Sequence, residues 1–142
     1  MNLRSKVDSQ PAYVLHTYPF RETSLIVEVF SRDFGRMALL ARGARRPRAA
    51  IRGLLMAFQP LEIGWAGKGD VLTLMKAEWQ GGQPLLSGAG LFCGYYLNEL
   101  LMHLLPREDA HDRLFAGYAE MLARLAADPG GKVREADLRS FE

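Results

Sequence analysis

The chain has 142 residues, 49% of them apolar, enough to build a buried core and too many for a disordered segment. Its one cysteine, Cys93, excludes an intrachain disulfide and a cysteine zinc cluster, and no window approaches the roughly 18 apolar residues of a membrane span. The net charge of +2 hides a split: residues 1–80 hold twelve Lys/Arg against seven Asp/Glu, while the remainder is acidic, which suggests two modules with a polyanion surface on the first.

Residues 1–10 are polar and lack the apolar run of a signal peptide, so a cytoplasmic location is expected. Residues 12–18 read as the first strand, ended by a turn at residues 19–22. Residues 23–30, rich in β-branched side chains, read as the second, with Leu25, Val27 and Val29 on one face and Ile26, Glu28 and Phe30 on the other. A hairpin over 31–35 leads to a third strand over 36–42. There Met37, Leu39 and Ala41 alternate with Arg36, Ala38, Leu40 and Arg42. The loop that follows carries Arg45, Arg46, Arg48 and Arg52, and no carboxylate lies between Asp33 and Glu62. Residues 58–65 and 71–79 complete five antiparallel strands, joined by a glycine-rich turn. In the last, Val71, Thr73, Met75 and Ala77 oppose Leu72, Leu74, Lys76 and Glu78. Five short strands within about 70 residues predict a small closed barrel.

At residues 81–84 the apolar period changes from 2 to 3.6. Ser87 is placed to cap a helix reaching about residue 105, with a core stripe of Cys93, Leu97, Leu100, Leu101 and Leu104. Pro106 stops it. Asp109 is placed to cap a second helix with Leu114, Phe115, Tyr118, Met121, Leu122 and Leu125 at helical spacing, ended by residues 128–131. A third helical pattern starts at Lys132, with Val133, Leu138 and Phe141 apolar, and is still unclosed at Glu142, which predicts part of a larger helical domain. The expected class is α+β: an oligonucleotide-binding (OB-fold) barrel over residues 1–80, then the first part of a helical domain over 81–142.

A guanidinium group is planar, forked and always charged, which matches phosphate oxygens. A cluster of them without acids calls for an external polyanion, of which nucleic acid is the commonest. Arg36, Arg42, Arg45, Arg46, Arg48 and Arg52 are therefore candidate phosphate ligands, and Arg21 and Lys68 extend the track from neighbouring loops. The alternative is a solvated basic hairpin. OB-fold barrels bind strands across the strand 2–3 face and the loops after strands 1 and 4, and bases stack on aromatic rings there. Phe20, Phe34 and Trp65 are placed either to do this or to pack into the barrel. His16, His103 and His111 share no zinc-ligand spacing, no nucleophilic triad or carboxylate pair stands out, and the glycine runs match neither a P-loop nor a dinucleotide fingerprint. A non-enzyme without metal or cofactor is expected. The stripe over residues 95–101 reads as core, with Asn98 and Glu99 bracing contacts.

Together these residues resemble the RecO family of bacterial DNA repair and recombination mediators. Tyr13-Val14-Leu15-His16 followed by Phe20-Arg21-Glu22-Thr23-Ser24-Leu25 is similar to that family's first hairpin. Gly35-Arg36 with Ala41-Arg42-Gly43-Ala44-Arg45 is similar to its third strand and basic turn, and Phe58-Gln59-Pro60-Leu61 to its fourth strand. Tyr96-Leu97-Asn98-Glu99-Leu100-Leu101 resembles its first long helix, and Leu138-Arg139-Ser140-Phe141-Glu142 the start of a later one. The resemblance implies a protein that binds single- and double-stranded DNA, anneals complementary strands, engages the C-terminal tail of single-strand binding protein, and works with RecR to load RecA. It implies DNA contact by Arg36, Arg42, Arg45, Arg46 and Arg52, and places Arg139 near the pocket for the acidic tail. Two other classes stay open: a protein-interaction module docking RecR or single-strand binding protein with DNA contacts secondary, and an RNA-binding barrel.

Overall fold

The computed structural model describes residues 6–69 and 71–127. Five strands, β1 (Lys6–Phe20), β2 (Ser24–Ser31), β3 (Gly35–Ala41), β4 (Leu61–Ala66) and β5 (Leu72–Trp79), precede two helices, α1 (Gly88–Leu104) and α2 (Asp112–Ala127). The expected third helix and Arg139 lie outside the described residues.

The strands close into a barrel in the order β1-β2-β3-β5-β4. The long β1 serves two neighbours: its first part pairs with β4 from Lys6↔Ala66 to Ala12↔Leu61, its second with β2 from Ala12↔Ser31 to Phe20↔Ser24. Four junctions are antiparallel, but the barrel closes through a short parallel junction, Leu39↔Leu72 and Leu40↔Thr73. The expectation of five antiparallel strands is corrected on this point. Strand direction cannot alternate at every junction of a five-membered ring, so one junction must be parallel.

Alternation holds where it was clearest. Val27 and Val29 of β2 and Met37, Leu39 and Ala41 of β3 fill the barrel interior with Leu61, Ile63 and Leu72. In β5 it breaks: Leu72, Leu74 and Ala77 are buried while Met75 and Lys76 are exposed. The cause is a register shift between Gly64 and Trp65 on the β4–β5 ladder, which moves the rest of the strand by one position.

A second core lies between the outside of the barrel and the helices. Tyr13, Leu15 and Phe30 meet Leu97, Leu101, Phe115, Tyr118 and Leu122 there. Ser87 occupies the N-cap position of α1 but makes no side-chain capping bond. The buried face of α1 is Gly90, Gly94, Leu97, Asn98 and Leu101, rotated from the expected stripe, and Leu104 is 67% exposed. The reason is close approach. A Cβ at Gly94 would sit 2.8 Å from Leu86 Cδ1 and 2.9 Å from Phe58 Cε1, so this face turns inward because it has no side chain there.

One polar chain crosses this core. Tyr118 donates to Asn98 Oδ1, and Asn98 Nδ2 donates to the Leu15 carbonyl at 3.2 Å. Burial, with Tyr13 close by, pushes the Tyr118 hydroxyl far above the usual phenol range, so it stays a donor. Asn98 thus braces the barrel–helix contact, as its position in the apolar stripe suggested.

Gly35 fixes the start of β3 against the segment between the helices. It has φ +74°, and a Cβ there would lie 2.2 Å from the Asp109 carbonyl oxygen. Gly35→Ala is expected to cost about 2–4 kcal/mol, from left-handed backbone strain plus displacement of the Asp109 backbone. Urea denaturation checks this, and an unchanged midpoint would contradict it.

Candidate nucleic-acid interface

The basic turn after β3 is tied to the β1–β2 turn by the backbone. The Gly43 N–H donates to Ser24 Oγ at 3.2 Å, and the Arg45 N–H donates to the Thr23 carbonyl at 2.8 Å. The Arg45 guanidinium reaches across to the Arg21 carbonyl at 3.0 Å. Ala44 is buried between them and pins the turn to the barrel. Tight turns continue through Arg46 N–H to Gly43 O at 3.0 Å and Ala49 N–H to Arg46 O at 3.1 Å, into a short 3-10 helix at Ala50–Gly53. The loop is therefore held by backbone hydrogen bonds along the run that carries the arginines.

Arg42, Arg45, Arg46, Arg48 and Arg52 are all exposed, and among the described residues none of the five makes an ion pair. Arg21 is exposed in the adjoining turn at φ 56°, its guanidinium carbon 5.2 Å from the centre of the Phe20 ring. The structure thus brings Arg45, Arg21 and Phe20 together. Lys68 is exposed in the β4–β5 turn, which meets β3 through Leu39↔Leu72 rather than meeting the basic turn.

Two expectations are corrected. Arg36 points from the outer face as its alternation with Arg42 requires, but it is not a free phosphate ligand. Its guanidinium donates to Glu28 Oε2 at 3.4 Å and, through Nε, to the Leu105 carbonyl at 2.9 Å. Glu28 is fully buried, and Arg107 from the segment between the helices also donates to it. A buried carboxylate needs counterions, and Arg36 and Arg107 supply them. Trp65 is the second: it is 1% exposed, inside the barrel with Leu61 and Ile63, its ring edge-on to Phe34 at 5.5 Å. Phe34 is half-buried and packs against that end of the core, so the Trp65 ring is closed to a base.

Sequence reasoning missed Arg107, whose role depends on a partner 79 residues away. It also missed that His16, Tyr18 and Phe20 form one exposed outer row of β1, although their spacing of two was visible. The ionisable pairs elsewhere are local and exposed. His103 lies 3.0 Å from Glu99, and Arg32 holds the Asp33 carboxyl below the usual carboxylate range with help from Gln10. Among the described residues there is no group of three or more side chains suited to a metal ion, and no helix is long and apolar enough to cross a membrane.

Comparison with known proteins bears on this geometry. Residues 6–82 match the family model described as Recombination protein O N terminal, and residues 86–142 match Recombination protein O C terminal. Over its full length the chain is 89% identical to the DNA repair protein RecO of Dechloromonas aromatica (strain RCB), 63% to that of Aromatoleum aromaticum and 59% to that of Azoarcus sp. (strain BH72). It covers 59%, 58% and 57% of those relatives, so it spans under three fifths of their length.

Proposed function

The chain belongs to the RecO family, and from that premise we propose that it acts in DNA repair as a non-catalytic recombination mediator. The barrel (residues 1–80) holds DNA, and the helical part (81–142) joins it to partners. The reading is supported by one observation: five exposed arginines that make no ion pair among the described residues, on a loop whose backbone is bonded to the β1–β2 turn. Such a rim grips sugar-phosphate irrespective of sequence and releases counterions as it does so. By neutralising two strands at once it lowers their repulsion and lets complementary bases meet, which is annealing. Loading of RecA with RecR in the cytoplasm follows as the role of the whole protein.

The test is annealing of two complementary labelled oligonucleotides by the chain. The expected result is acceleration of about tenfold or more over the spontaneous rate at low salt, fading as salt screens the rim. Binding without acceleration would remove annealing from the proposal. A second reading, docking of RecR or single-strand binding protein, is favoured by the exposed Phe92, Tyr95, Tyr96 and Leu104 of α1. It requires capture of the partner in high salt without DNA.

A further inference from the structure

The outer face of β1-β2-β3 divides in two. Where Tyr13 and Phe30 face outward, the helices cover it. Beyond the Glu28 clasp it is open. Strand register places Tyr18, Ile26 and Leu40 in one cross-strand row, with Phe20 and Ser24 in the next, toward Arg42. Tyr18 is 40% and Phe20 36% exposed. Ile26 and Leu40 are half-buried and belong to neither core cluster. His16 and the Tyr18 ring meet edge to face with centres 4.6 Å apart, which fixes the Tyr18 ring. Glu28 would otherwise repel a phosphate from this face, but it is buried and held by Arg36 and Arg107. The exposed charges on the margin are Arg21, Arg42 and Arg45, with the Glu22 carboxylate beside Arg21.

We propose that this open face is a base-stacking platform, with Tyr18 and Phe20 as the stacking rings, that makes the arginine rim selective for single-stranded over double-stranded DNA. The proposal rests on the reading of the rim as a DNA site. Residues two apart on a strand stand about 6.6 Å apart, twice the rise of about 3.4 Å per nucleotide in a stacked strand. Consecutive bases reach both rings only by unstacking, which a single strand does freely and a duplex does only by unpairing. Ile26 and Leu40 give the splayed bases an apolar floor. Arg21 lies against one face of Phe20, so the other face takes the base while the guanidinium follows the backbone. Charge complementarity between a neutralised apolar floor and a cationic margin favours a polyanion with apolar faces over an apolar protein surface.

The experiment compares the unaltered chain, the Tyr18→Ala/Phe20→Ala double variant and the conservative Tyr18→Phe variant. Each is titrated against a labelled oligo-dT strand and against a duplex of equal length. The double variant is expected to bind the single strand about ten- to a hundredfold more weakly and the duplex within about twofold of the unaltered chain, while Tyr18→Phe keeps single-strand affinity. Equal losses on both probes, or no loss on the single strand, would overturn the platform while leaving the rim intact. Failure of the unaltered chain to bind either probe would overturn the rim and the platform together.

Discussion

Arg36→Ala is expected to destabilise the protein by about 3–5 kcal/mol, the cost of removing one partner from a buried ion pair. Glu28 is fully buried on the outer face of β2, and Arg36, with its side chain 13% exposed, is the more enclosed of its two counterions. Arg107 is 57% exposed and remains, but it approaches only Oε1. The change leaves Oε2 without its donor and also removes the donor to the Leu105 carbonyl, so two buried acceptors lose a partner together. Replacing both members by apolar residues, as Glu28→Leu/Arg36→Leu, removes the uncompensated charge and is expected to recover much of the loss. Urea midpoints measure both. The folded Arg36→Ala protein, kept cold, is expected to bind DNA within about twofold of the unaltered chain, since Arg36 is a counterion and not a phosphate ligand. Loss of DNA affinity with the fold intact would return Arg36 to the rim.

The Arg45→Ala/Arg46→Ala/Arg48→Ala triple variant is expected to do the opposite: little change in stability, a large loss of binding. All three side chains are exposed, and the backbone bonds that shape the turn survive the change. With each lost phosphate contact at about 1 kcal/mol, below the value of a desolvated charged hydrogen bond, affinity falls by about a hundredfold. The loss is expected to be uniform across sequences, because phosphate contacts carry no sequence information. A sequence-dependent loss would mean that these arginines read base edges.

What the sequence made legible follows the range of the interactions involved. The strands β2 and β3 and the basic turn were visible because alternation and an acid-free run are local properties. The inward position of Trp65 was also available, since it shares the period of Leu61 and Ile63, but its place beside a hairpin drew attention to the loop instead. Arg36 was not legible: it differs from Arg42 only in facing Glu28, Leu105 and Arg107, and two of those lie some 70 residues downstream. A carboxylate in the middle of a β-branched strand was the one hint that a counterion had to come. The buried face of α1 was misplaced because the stripe was read from large apolar residues, whereas Gly90, against Leu125 of α2, and Gly94, against Leu86 and Phe58, decide which side packs closest. The break in β5 depends on a register shift with β4, which no single strand encodes.

The salt dependence of single-strand binding by the unaltered chain, followed by fluorescence anisotropy beside the triple variant, tests the rim most directly. With five exposed arginines each releasing about 0.7 of a counterion, the slope of log K against log salt is expected to be about −3.5, falling to about −1.4 in the triple variant. A shallow slope that the triple change leaves unaltered would show that the arginines after β3 do not hold the phosphates.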